Sequence, residues 1–260
     1  MDRWIGKVAV ITGASSGIGA GIAEKLVKEG LIVVGIARRK ERIEELANKL
    51  KGEKGKLYAV KADVRKEEEI LEAFKWIKEN AGPVHILVNS AGIFRITSLG
   101  DGNTQMWKDV LDVNVLALCI TSREAIRDMK ANNVDGHIIH INSIGGHRPG
   151  VPTANLSGAS KYCVTALTET LRQELNAAGS KIKVSSVSPG FVKTEIFDAT
   201  FRASNFPVPE AIKNYLDSGK VLNVEDMADA VVYVLGTPPH VQVHELTILP
   251  LGGGTVSPDY

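Results

Sequence analysis

The sequence is sparing in several respects, and each scarcity excludes something. It has two cysteines, Cys119 and Cys163, too few for a disulfide framework and without metal-ligand spacing. It has no excess of one charge. Its 31 Lys and Arg stand against 30 Asp and Glu, a formal net charge of +1, so no basic field draws nucleic acid. Local blocks such as Arg38-Arg39-Lys40 and residues 65–69 read as solvated helix faces. No apolar run is long. Residues 31–36, broken by Gly35, fall far below the ~18 residues a membrane span needs. Met1-Asp2-Arg3-Trp4 carries no secretory apolar region. A reduced, cytoplasmic setting is expected.

What is present is core material: 44% of the 260 residues are hydrophobic and 23% charged. That composition excludes disorder as the dominant state. Strand and helix patterns alternate along the whole chain. Strands are expected at 7–12, 31–37, 57–63, 84–88, 136–141, 182–187 and 245–249. Helices are expected at 18–28, 39–50, 67–80, 104–130, 155–178 and 225–235. In the second of these, Ile43, Leu46, Ala47 and Leu50 form one apolar stripe. Such alternation implies right-handed crossovers and a parallel sheet covered on both faces. The fold class is therefore α/β: a single-domain, Rossmann-type, doubly wound parallel sheet spanning 1–260. Residues 191–219 have weak periodicity and contain Pro207 and Pro209. They read as a structureless lid over a substrate.

In such sheets ligands bind beyond the carboxyl ends of the strands. The first strand is followed by Gly13-Ala14-Ser15-Ser16-Gly17-Ile18-Gly19. Glycines permit a tight turn and let backbone N–H groups approach a pyrophosphate, which the following helix N-terminus favours electrostatically. The strand before and the helix after make this a nucleotide-binding turn rather than an ordinary one. At the end of the second strand an acidic residue would hold the ribose 2′-hydroxyl of NAD. Ala37 stands there, followed by Arg38 and Arg39. A guanidinium fork suits a 2′-phosphate, so the expected coenzyme is NADP(H). The alternative is that both arginines only begin a solvated helix. Asp63, at the end of the third strand, reads on the residues alone as a helix N-cap.

The spacing Gly-x-x-x-Gly-x-Gly resembles that of the short-chain dehydrogenase/reductase family. Asn89-Ser90-Ala91-Gly92 is similar to the family's Asn-Asn-Ala-Gly motif, with Ser in second place. Asn114, Ser143 and Lys161 fall where the family has a structural and catalytic Asn, a catalytic Ser and a catalytic Lys. Pro189-Gly190 matches its Pro-Gly motif. Within the family, the run from Ser143 to His147 and Arg148, with residues 35–38, resembles the insect farnesol dehydrogenase group and its vertebrate relatives. The resemblance implies hydride transfer between a nicotinamide and an alcohol or carbonyl carbon. It implies that Asp63 and Val64 hold the adenine, and that Asn89, Ala91 and Gly92 belong to the coenzyme site. It further implies that Lys161 grips the nicotinamide ribose, and that Val192 and Thr194 touch the carboxamide and pyrophosphate. It also implies a homodimer or homotetramer.

One expected residue is missing. The family's proton-passing tyrosine precedes the lysine by four positions, on one helix face. Here that position is Ser157. Tyr162, five residues on, lies roughly 140° around the helix and reads as a packing aromatic. A seryl hydroxyl is a weaker acid than a phenol, and its oxygen falls short of the phenol's by on the order of 4 Å, beyond hydrogen-bond reach of ~3 Å. Three explanations stand open: a natural member turning over slowly through water or Ser143, a coenzyme- or ligand-binding protein without catalysis, or an engineered knockout. On the substrate side, His147 and Arg148 border the expected pocket, His147 as a hydrogen-bonding scaffold residue. Phe191, Ile196, Phe197, Phe201, Phe206 and Tyr215 either line a greasy pocket or pack the lid down. The resemblance favours a small hydrophobic alcohol or carbonyl as substrate.

Overall fold

The computed structural model describes residues 1–148, 155–203 and 206–252. The apolar runs become seven strands: β1 (Val8–Thr12), β2 (Ile32–Ala37), β3 (Lys56–Lys61), β4 (Val84–Asn89), β5 (His137–Ile141), β6 (Lys183–Pro189) and β7 (Glu245–Ile248). They form one parallel sheet in the order β3-β2-β1-β4-β5-β6-β7. Side chains on successive residues of a strand point to opposite faces, and the sequence uses both. Ala9 and Ile11 join the core on one face, while Val8 and Val10 join the core on the other.

Each face is covered by amphipathic helices. On one, α1 (Gly17–Lys28) contributes Ile22 and Leu26, and α9 (Val224–Gly236) contributes Met227 and Val231. On the other, α3 (Glu67–Asn80) contributes Ile70, Phe74 and Ile77, and α5 (Ala117–Ala131) contributes Ile120 and Met129. α2 (Lys40–Lys49) and α6 (Asn155–Ala177) complete the crossovers. None of the helices searched among the described residues is long and apolar enough to cross a membrane.

β1 lies between β2 and β4, so connections leave its two sides in opposite directions and open a crevice beyond Thr12 and Asn89, which are register partners. That crevice is the place to look for function.

Two expectations are corrected. The single helix over 104–130 is α4 (Thr104–Leu111), a π-helical turn (Asp112–Leu116) and then α5. The wider turn carries Asn114, whose side chain exchanges two hydrogen bonds with the backbone of Ile93. Residues 191–219 are not structureless. They hold α7 (Ile196–Ala203) and α8 (Glu210–Asp217). Each spans 8 residues, about two turns, too few to repeat an apolar stripe. Pro209 stands immediately before α8.

Candidate active site

The glycine-rich turn is shaped by close backbone approaches. Gly13 has φ +72°, and a Cβ there would lie 2.9 Å from Ala91 Cα. A Cβ on Gly19 would lie 2.5 Å from Gly13 O. Thr12 Oγ1 accepts hydrogen bonds from the amides of Ser90 and Ala91, both at 3.1 Å. The turn is thus pressed against the 89–92 segment. Ser16 opens α1 without a side-chain cap; its Oγ instead accepts from Arg39 Nη2 at 2.9 Å. The leading amides of α1 are left to an incoming anion. Ser15, Gly17 and Ile18 are half-buried beside them. A Cβ on Gly17 would lie 3.2 Å from the Thr194 methyl, which places the segment after β6 over the same turn. A bare, glycine-lined helix start flanked by a guanidinium fits a dinucleotide pyrophosphate.

Beyond β2, Arg38 and Arg39 are both exposed. Arg39 does more than begin a helix, since its guanidinium turns back to Ser16 and meets Glu195 at 3.5 Å. Asp63 is not a helix cap; Lys66 holds that position of α3. Arg65 folds back on Asp63, donating from Nη2 at 2.5 Å, from Nε and from its own amide. Hydrogen bonding to Arg65 holds the Asp63 carboxyl below the usual carboxylate range. Val64 beside it is buried. Asn89 is buried and its amide is spent on α5: Oδ1 accepts from Thr121 Oγ1 at 2.6 Å and Nδ2 donates to Ser122 Oγ at 3.0 Å. Ser122 lies 3.3 Å from His140 Nε2, and His140 Nδ1 lies 2.9 Å from Thr168 Oγ1. Thr168 donates to Val164 O, so the chain is complete with a neutral imidazole protonated on Nδ1. Ala91 is half-buried and Gly92 exposed along this rim.

The four expected catalytic residues converge from three elements. Asn114 Nδ2 donates to Ser160 Oγ at 3.0 Å, and Ser160 Oγ donates to Ser157 O at 2.7 Å. Ser157 is buried, and its Oγ accepts from the Arg95 amide at 3.4 Å. Ser143 opens a 3-10 turn (Ile144–Gly146), its Oγ accepting from the Gly145 amide at 3.0 Å. That turn is pressed onto α6, since a side chain on Gly146 would sit 2.7 Å from Lys161 O. Lys161 Nζ donates to Ile141 O at 2.8 Å, at the end of β5. Burial lowers its pKa to about 8. Tyr162 is 44% exposed. It does not take the buried place of residue 157, as its angular offset on the helix implied. Sequence reasoning missed Ser160 and Arg95. Ser160 sits one residue before the lysine on a buried helix face, a signal that small polar residues rarely give unaided.

On the substrate side, β6 ends at Pro189, and Gly190 donates to Ile248 O at 2.8 Å. Val192 is buried and bridges to Leu222. Phe191 stacks on Phe197 at 5.8 Å and meets Tyr215 edge-on at 5.3 Å, so these rings pack on one another. Phe201 is buried, whereas Ile196 and Phe206 are exposed. His147 Nε2 lies 3.0 Å from Ser188 Oγ and 3.3 Å from Glu245 Oε2, joining the 3-10 turn to β6 and β7. Arg148 is exposed.

The family model for short chain dehydrogenase matches residues 7–205. The chain is 54% identical to Farnesol dehydrogenase of Aedes aegypti over 256 residues, covering 97% of this chain and 99% of that protein. It is 45% identical to Dehydrogenase/reductase SDR family member 11 of Homo sapiens, covering 96% of each. Among solved structures, the closed form of serine dehydrogenase complexed with NADP+ superposes with a TM-score of 0.85 at 28% identity, covering 97% of this chain and 98% of that one. With this sheet order and this turn, the chain belongs to the short-chain dehydrogenase family and is related throughout its length to oxidoreductases.

Proposed function

We propose that this chain is an NADP(H)-dependent oxidoreductase of hydrophobic, farnesol-like alcohols and carbonyls, with proton transfer impaired or unconventional at Ser157. The carrying observation is the guanidinium of Arg39 on Ser16 Oγ, beside a β2 that ends in Ala37 rather than a carboxylate. A cation there receives a 2′-phosphate, and no acid repels it from the strand end. The NADP+ in the related serine dehydrogenase structure supports this choice, and the Aedes relative's name supports the substrate class.

In this reading Gly13, Ser15, Ser16, Gly17, Ile18 and Gly19 cradle the pyrophosphate, with Thr194 closing over them. Arg38 and Arg39 take the 2′-phosphate, while Asp63 and Val64 border the adenine. Asn89, Ala91, Gly92, Pro189, Gly190 and Val192 surround the nicotinamide end, where Lys161 grips the ribose. The coenzyme supplies hydride exchange when bound. Ser143 hydrogen-bonds the reacting oxygen, and Asn114 holds Ser160 and the 93–97 segment in place. Ser157 stands where a phenol would pass the proton. His147 and Arg148, with Phe191 and Phe197, border the substrate under the 191–219 lid. Exposed Leu116 on the π turn and Tyr162 on α6 support assembly into a homodimer or homotetramer, and the free cysteines accord with the cytoplasm.

Titration with NADPH, followed by tryptophan fluorescence, should give saturable quenching, and farnesol with NADP+ should give slow absorbance growth at 340 nm, roughly the 10²–10⁴ below a tyrosine-bearing relative that a positioned acid/base is worth. Quenching with no turnover at any pH points to the second reading, a coenzyme-binding protein without catalysis, which the Ser157 substitution favours. Absence of quenching sinks both.

A further inference from the structure

Glu195 lies between β6 and α7, outside every motif considered so far. Its carboxylate accepts from Arg42 Nη1 at 2.7 and 2.9 Å and from Arg39 Nη1 at 3.5 Å. Arg39 is at the same time bonded through Nη2 to Ser16 Oγ. The preceding residue, Thr194, rests on Gly17. One carboxylate therefore stands at the mouth of the phosphate-binding turn, holding the guanidinium best placed for a phosphate on the ribose. A 2′-phosphate and a carboxylate on the same guanidinium repel one another. Arg42 gives Glu195 a partner that it keeps when Arg39 is withdrawn.

We propose that Glu195 is a specificity-determining residue: it competes with the coenzyme's 2′-phosphate for Arg39, and the strength of that competition sets the preference between phosphorylated and unphosphorylated dinucleotide. An unphosphorylated dinucleotide leaves the Glu195–Arg39 contact intact. The proposal rests on the NADP(H) reading above. It also ties coenzyme choice to the segment that carries α7, because displacement leaves the Glu195 carboxylate held by Arg42 alone.

The test is a fluorescence titration of wild type, E195Q, R39Q and R39Q/E195Q with NADPH and with NADH at low ionic strength. In E195Q the Kd for NADPH should fall about threefold to fivefold, the scale of an exposed ion pair, while the Kd for NADH moves less than about twofold. In the R39Q background the effect of E195Q should vanish, since additivity fails only for groups that interact. An unchanged NADPH/NADH ratio in E195Q overturns the proposal, as does equal weakening of both, which would mark a merely structural role. An effect of E195Q that persists without Arg39 also overturns it. Equal affinities of the wild type for both coenzymes would instead overturn the NADP(H) reading itself.

Discussion

Position 157 shows what one side chain can withhold. Its hydroxyl meets the Arg95 amide at 3.4 Å, and around it Asn114, Ser160, Ser143 and Lys161 are in ordered contact with their surroundings. The site keeps its frame and lacks a phenol. Ser157→Tyr should raise NADP-linked farnesol oxidation by about 10²–10⁴, the worth of a positioned acid/base, while the Kd for NADPH moves little. Initial rates and a fluorescence titration on the same sample would show both. A variant that binds NADPH and turns over no faster contradicts the assignment of this residue as the bottleneck. At this scale the sequence was informative where chemistry forces a residue type. Gly13 admits no Cβ because Ala91 is in the way, and the spacing announced it. Asp63 looks like a cap in the sequence, whereas its partner is Arg65, chosen by a side-chain fold-back that no periodicity encodes.

Among elements, the π turn matters most. A one-residue widening leaves the apolar pattern helical on either side, so 104–130 reads as unbroken. The widened turn places Asn114 where it bonds both polar groups of Ile93 and also Ser160. Asn114→Ala would leave the Ile93 amide and carbonyl without these partners in a part-buried place. The expected loss is about 1–3 kcal/mol, read by urea unfolding, with faster hydrogen exchange at the Ile93 amide. Unchanged exchange there would show that the turn does not hold the 93–97 segment. The strands and long helices were legible because burial on both faces demands continuous apolar runs and long helices repeat their stripe. α7 and α8 were not, because two turns repeat nothing.

Across the whole molecule, buried imidazoles govern response to acid. Burial lowers the pKa of both His137 and His140 to about 3, whereas an unfolded histidine titrates near 6.5. The unfolded chain therefore binds more protons below pH 6.5, and stability falls as pH drops from there towards 3. Two such histidines give a slope of roughly 2–3 kcal/mol per pH unit near pH 5. Carboxylates whose pKa values are depressed, such as Asp63 and Glu195, add their losses at lower pH. Urea unfolding between pH 7.5 and 5 would measure the slope. A flat profile over that interval would mean the two imidazoles are not held neutral.

The ring of Phe191 touches Phe197 of α7 and Tyr215 of α8 together. Two short helices that are separate in the chain thereby share one hub, fixed to the main body at the end of β6. A change of bulk at residue 191 therefore reaches both helices at once, because each rests on the same ring.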